Sequence, residues 1–231
     1  IVISGLTSAD INDPNNPELT TSLYEIKHRV FASLSYSYNF FANATTSVSL
    51  YYNGQSGQPY SYVVYGDVNN DGFDSNDLFY IPSDASQIQL GTLDANKNFV
   101  RGSDATYKAL EDFINNDDYL KENRGKVSKR NGARNPWRNV LDFRFSQDIP
   151  DYFGFGKFQV TLDILNVLNL IDPESGWDKS VYSTYQIVKF VGRDNTGRAV
   201  YSLNTNNAKD PYTADDITSR WAMQLGIRYS F

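Results

Sequence analysis

Hydrophobic and polar residues alternate over unusually long stretches of this chain. In the closing segment TSRWAMQLGIRYSF, Trp221, Met223, Leu225, Ile227, Tyr229 and Phe231 share one parity, while Ala222, Gln224, Gly226, Arg228 and Ser230 share the other. A period of two marks a β-strand with one apolar and one polar face. The pattern recurs in LYEIKHRVFASLSYSYNF, where Tyr24, Ile26, Val30, Leu34, Tyr36, Tyr38 and Phe40 oppose Glu25, Lys27, Arg29, Ser33, Ser35, Ser37 and Asn39. His28, the only histidine, falls on the apolar side, where a structural role outweighs a catalytic one. TTSVSLYYNG, RNVLDFRFSQDI and GKFQVTLDILNVLN repeat the alternation, which predicts strands over 22–41, 43–64, 137–150, 156–169 and 218–231.

Strands of soluble proteins cluster near ~5 to 6 residues. Membrane-barrel strands need ~9 to 11, and they tolerate charges on the lumen face. Alternation alone also fits a soluble sandwich with its charged face outward. The connections separate the two: with the C-terminus on the periplasmic side, the short turns 41–45 and 150–156 fall there, and the long polar insertions 65–136 and 170–217 fall outside. Phe40, Phe41, Tyr152, Phe153, Phe155, Tyr229 and Phe231 then gather at one membrane boundary, with Trp137 and Trp221 at the other. The expected fold class is therefore all-β, the C-terminal strands of a large antiparallel transmembrane β-barrel. Because five strands cannot close a barrel of at least eight, the remainder is expected before Ile1.

Within the first insertion, SDATYKALEDFINNDDYLKENRGK predicts a helix capped by Ser103 or Asp104, with Tyr107, Leu110 and Ile114 on one stripe, and the helix is expected over the barrel mouth or a neighbouring subunit. YQIVKFVGRDNTGRAVYSL in the second predicts a hairpin turning at Asp194–Gly197. Composition supports wet-faced sheets: 17 Tyr, 14 Phe and 3 Trp coexist with a mean hydropathy of −0.50. A net charge of −6 argues against a nucleic-acid partner, and zero cysteines removes disulfides and thiolate chemistry.

The stretch YGDVNNDGFDSNDLFYIP carries Asp67, Asn69, Asp71, Gly72, Asp74 and Asp77. Asp-x-Asn-x-Asp-Gly offers side-chain oxygens at alternating positions with a Gly for the sharp turn, and the Phe73 carbonyl would follow as a further ligand to a structural Ca2+. Leu78 stands where an EF-hand has its bidentate Glu, so Asp77 or Asp74 would substitute. The other reading is an Asx-rich turn that binds nothing. Asp142, Asp148 and Asp163 share a face with Arg144 and Lys157, which reads as a charged lumen lining rather than a catalytic dyad, and no enzymatic role is expected. The seven cations of KENRGKVSKRNGARNPWR read by default as a solvated face, with recognition of an anionic surface or a partner as the other reading.

Taken together, YGDVNNDGFDSNDLFYIP, NGARNPWRNVLDFRFSQDI, LDILNVLNL and RWAMQLGIRYSF resemble the C-terminal barrel portion of TonB-dependent outer-membrane receptors, most of all the Oar-like branch. The resemblance implies a 22-stranded barrel in the bacterial outer membrane whose N-terminal part, plug and regulatory-like domain lie outside this chain. It implies outer-membrane lipid, the TonB complex (reached through that N-terminal region), the barrel-assembly machinery and other surface proteins as partners. Phe231 matches the aromatic terminus read during barrel assembly. The implied function is uptake of a substrate by plug rearrangement. Two alternatives stand beside it: a docking subunit of an outer-membrane complex, and a calcium-stabilised soluble adhesion-type domain.

Overall fold

The computed structural model describes residues 18–41, 44–150, 156–205 and 210–231. Of the described chain, 47% is strand and 14% helix. It divides into two compact units, and the chain passes between them at several points.

One unit is a five-stranded antiparallel sheet in which spatial order follows chain order: Arg29–Phe41, Ala44–Gln55, Arg138–Ile149, Lys157–Leu165 and Ala222–Ser230. Register is continuous across all five except for a shift between Asn39 and Phe41 at the end of the first strand. Leu34, Leu50, Phe143, Ile164 and Met223 form one cross-strand row, and Tyr36, Val48, Phe145, Leu162 and Leu225 form the next on the same face. Between them on the opposite face runs Ser35, Ser49, Arg144, Asp163 and Gln224. The polar face is cross-linked: the hydroxyls of Ser35 and Ser49 lie 2.9 Å apart, those of Ser37 and Ser47 2.8 Å, and Gln159 Nε2 donates to Asp148 Oδ1 at 2.8 Å. The apolar face is uncovered, with Leu34, Leu225 and Ile227 exposed by 68%, 70% and 73%. Among the described residues the sheet does not close, and its first and last strands each have one neighbour. Tyr152, Phe153 and Phe155, expected at the membrane boundary, lie outside the described residues, as does the side chain of Phe41.

Three predicted strands are shorter than their alternation suggests. The first begins at Arg29 rather than near 22, because the segment before it is held elsewhere: Asn131 Nδ2 donates to the Thr21 carbonyl at 2.7 Å, and Glu25 pairs with Arg134. Predicted strand 43–64 breaks in two after Gln55. There Ser56 closes back on His28 through N–H donation to its carbonyl at 2.8 Å, and Pro59, which has no N–H, opens a separate strand Pro59–Tyr65. The fourth ends at Leu165, since Asn166 adopts a left-handed conformation (φ 52°) ahead of the helical turn Val167–Ile171. Asn166 Nδ2 donates to the carbonyls of Ser219 and Gly176 at 2.7 and 3.0 Å, and its N–H donates to Asp142 Oδ1 at 2.9 Å.

The second unit is built from 58–135 and 181–212, which hold most of both long insertions, together with the segment before 26. Its six-stranded sheet runs Phe99–Arg101, Gln89–Leu93, Ala199–Leu203, Thr184–Arg193, Pro59–Tyr65 and Ala133–Arg134. Two pairings are parallel, Thr184–Arg193 with Pro59–Tyr65 and Ala199–Leu203 with Gln89–Leu93, so each insertion supplies strands that the other needs. The hairpin turns at Asp194–Gly197 as its sequence predicts, with Gly197 at φ 85°. The helix also forms, as Asp104–Asn116 capped by Ser103, whose side chain accepts from the Thr106 N–H. Its stripe of Tyr107, Leu110, Phe113 and Ile114 is buried in this unit's own core, with Tyr62, Phe79, Leu90 and Tyr185. Of the seven cations that read as solvated, Arg124 pairs with Glu111, Arg134 with Glu25 and Arg138 with Asp178.

Leu110 is fully buried, so Leu110→Ala removes a core side chain and leaves a cavity. The variant is expected to lose about 2–5 kcal/mol of stability. Exposed Lys108→Ala is expected to stay within about 0.5 kcal/mol of the parent. Chemical denaturation followed by near-ultraviolet tyrosine dichroism measures both.

Candidate cation-binding loop

The loop between Tyr65 and Leu78 is closed at its base by ladder bonds. The Val64 N–H donates to the Asp77 carbonyl at 2.8 Å, and the Phe79 N–H donates to the Tyr62 carbonyl at 3.0 Å. Inside this clasp the chain turns through four left-handed residues, Gly66, Asn70, Gly72 and Ser75. Asn and Gly tolerate that conformation, which explains why they stand there.

The carboxylates point at the loop's own backbone. Asp67 accepts from the N–H groups of Asp71 and Gly72 at 3.1 and 2.9 Å. Asn69 Oδ1 accepts from the Asp71 N–H at 2.9 Å, and Asp71 Oδ1 accepts from the Phe73 N–H at 2.9 Å. Asp77, the buried member, accepts through Oδ2 from the N–H groups of Val68 and Asn69 at 2.6 and 3.3 Å. Burial holds the Asp77 carboxyl above its ordinary range, reinforced by the negative charge of Asp71 and Asp67 and opposed by the two amides. Asp71 is held below its ordinary range, chiefly by the Phe73 N–H.

Of the six residues that the sequence nominates for a metal, Asp67, Asn69, Asp71 and Asp77 are thus joined in one network. Phe73 enters through its N–H, and exposed Asp74 stands outside it. The sequence reading missed Asn76. This residue is buried to 4% exposure, its Nδ2 lies 3.3 Å from Asp71 Oδ2, and its Oδ1 has no hydrogen-bond partner. Among the described residues no group of three or more carboxylates or histidines is gathered in the manner of a metal cage. The arrangement as it stands is a loop braced by its own acids.

The remaining candidates separate. Asp142 holds the Asn166 N–H, Asp148 accepts from Gln159, and Asp163 lies 3.6 Å from Arg144, so each carboxylate has its own partner. Exposed His28 is tied through its backbone, its N–H donating to Ser56 Oγ at 3.0 Å. Phe231 follows the last strand and is fully exposed. Comparison of the chain with family models, with curated proteins and with solved structures finds no match.

A second acid shows the same bracing more strongly. Asp194, at the hairpin turn, accepts from the Thr196 hydroxyl and N–H and the Arg198 N–H through Oδ1, and from Gln89 Nε2 through Oδ2. The Thr196 hydroxyl is the main cause that pulls its pKa down to about 2. A depressed folded pKa gives stability that is complete above the unfolded value near ~3.9 and is lost as pH falls toward the folded one. Asp194→Asn is therefore expected to melt below the parent at pH 7. The gap should shrink below about pH 4 and close near pH 2, as thermal melts across that range would record.

Proposed function

We propose that this chain is the membrane-embedded wall and external portion of an outer-membrane β-barrel transporter of the TonB-dependent class, importing its substrate by movement of a plug supplied outside these residues. The observation that carries this reading is the uncovered apolar face of the five-stranded sheet. Its strands run from 9 to 13 residues, and its opposite face is polar and cross-linked by hydrogen bonds. A soluble sandwich would cover such a face with a second sheet, whereas a lipid-facing wall leaves it bare and turns its polar rows to a wet lumen. Folding of the insertions into one unit also supports the docking alternative, because a rigid external body is a surface for partners as well as for substrates.

Arginine at positions 225 and 227 tests the wall. Each substitution costs about 2–4 kcal/mol at a bilayer midplane, so Leu225→Arg with Ile227→Arg is expected to abolish heat-modifiable protein in the outer-membrane fraction. Ser35→Arg with Ser37→Arg is expected to leave it in place. Equal tolerance of both pairs would overturn the membrane reading. Transport and docking are then separated by uptake of a labelled surface-bound substrate in energised cells: loss of uptake with a protonophore supports transport, and binding without uptake supports docking.

A structural Ca2+ at Asp67, Asn69, Asp71, Phe73, Asp74 and Asp77 belongs to the same proposal, supported by buried Asn76, whose Nδ2 lies beside Asp71 and whose Oδ1 has no hydrogen-bond partner. Tyrosine-sensitised terbium luminescence displaced by Ca2+ is expected for the parent and not for Asp67→Asn with Asp71→Asn. Absence of signal from the parent would leave the loop as a self-braced turn.

A further inference from the structure

A cavity of about 210 Å³ opens beside the aromatic core of the second unit and lies wholly within that unit. The half-buried rings of Tyr119 and Tyr212 line it, together with Asp117, exposed Asp118 and Arg134. Arg134 is the one cation on the wall, and Glu25 already holds its guanidinium. Neither Asp117 nor Asp118 makes an ion pair among the described residues, so the cavity keeps an uncompensated negative charge. The direction of the hydroxyl protons adds to it. Tyr62 donates its single proton to Asp117 Oδ2 at 2.6 Å, so Tyr60 is the donor in the 2.9 Å contact between the Tyr60 and Tyr62 hydroxyls. Tyr212 is hydrogen-bonded to Tyr60 in turn, and because the Tyr60 proton is spent on Tyr62, the Tyr212 hydroxyl donates inward as well. Its oxygen is left with lone pairs and no proton for a ligand, and the negative charges of Asp117, Asp210 and Asp118 all act on it. Unpaired acids, an oxygen that only accepts and aromatic walls together call for an organic cation that donates. A guanidinium meets all three, since its planar fork of N–H groups matches a carboxylate and its face stacks on aromatic rings.

We propose that this cavity binds a guanidinium group, carried by a small molecule or by an arginine side chain of a peptide. Asp118 takes the N–H fork, the Tyr212 oxygen accepts a further N–H, and the rings of Tyr119 and Tyr212 flank the cationic plane. The volume is below the ~300–1,000 Å³ of sites that enclose a whole drug-sized ligand, so the cavity holds the charged end of its ligand and leaves the rest outside. Every residue named belongs to the second unit, so the proposal holds whether or not the membrane reading does.

Saturation-transfer NMR titration of the full chain in mild detergent tests it, with butylguanidinium, its neutral isostere butylurea, tetramethylammonium, and an arginine tripeptide capped at both ends as probes. Butylguanidinium is expected to bind more tightly than butylurea, which lacks the charge, and than tetramethylammonium, which lacks N–H donors. Asp118→Asn should weaken butylguanidinium on the order of fivefold, as suits an exposed carboxylate, and leave butylurea unchanged. Tyr212→Phe keeps the ring and removes the acceptor, and it should weaken butylguanidinium while sparing tetramethylammonium. Asp112→Asn, which removes the same charge from an exposed position outside the cavity, should change neither. Circular dichroism checks the fold of each variant. Tripeptide binding as tight as butylguanidinium assigns the site to peptide side chains, and binding of butylguanidinium alone assigns it to small guanidines. No binding of butylguanidinium by the parent, equal binding of butylurea or tetramethylammonium, or binding indifferent to both Asp118→Asn and Tyr212→Phe overturns the proposal.

Discussion

The register of the five-stranded sheet is the constraint on which the rest of that unit depends. Side chains alternate with period two, so a slip of one residue would move Arg144 and Asp163 in among Leu50 and Phe143 and turn the leucines to the polar side. Hydroxyl pairs at Ser35/Ser49 and Ser37/Ser47, together with the Arg144–Asp163 and Gln159–Asp148 contacts, each contribute roughly 0.2–1 kcal/mol. Singly they are small. They all favour the same register, and they sit on the face where no apolar packing selects it.

The second unit meets a different constraint. Much of its chain is irregular, and buried irregular backbone must find hydrogen-bond partners outside a ladder. Asparagine and serine side chains supply many of them. Buried Asn135 accepts from the Val181 N–H at 2.7 Å and donates to the carbonyls of Val181 and Gln58 at 2.8 and 2.9 Å. Asn131 donates from its backbone to Ser61 Oγ, and Ser128 Oγ donates to the Tyr62 carbonyl at 2.8 Å. Tyr60 and Tyr62 bring their hydroxyls within 2.9 Å of each other, and Tyr62 donates to Asp117 at 2.6 Å; burial pushes both hydroxyls well above the usual phenol range. The segment RNGARNPW is thus a set of backbone ties. Reading its cations as a solvated face overlooked the asparagines between them.

What the sequence revealed follows from which signals are local. Strand alternation depends on neighbours two residues away, and so the five long strands, the capped helix at Ser103 and the turn at Asp194–Gly197 were all legible. Strand ends were less so, because Asn166 and Pro59 stop strands through conformation and missing donors while the alternation continues past them. The joint folding of the insertions was hidden. Pairings such as Thr184 with Ser61 link segments that no periodicity connects, and the PYSYVVY run reads as more of the preceding strand. At the loop, spacing identified the acids and not their partners. Counting carboxylates passed over Asn76, whose amide beside Asp71 carries no sequence signature.

Asn135 also bears on how so discontinuous a unit assembles. Parallel pairing of distant segments is slow to form because chain closure must be achieved before the contacts that reward it. Closure entropy grows only as the logarithm of loop length, so the larger difficulty is holding several segment ends together at once. Asn135 addresses this directly. Its N–H donates to the Gln58 carbonyl at 3.0 Å and its side chain bonds Gln58 and Val181, so one residue gathers the start and end of the unit's segment 58–135 and the start of its segment 181–212. With those ends held, Pro59–Tyr65 and Thr184–Arg193 set out side by side in the same direction. That common origin is what a parallel pair requires and what a hairpin cannot provide.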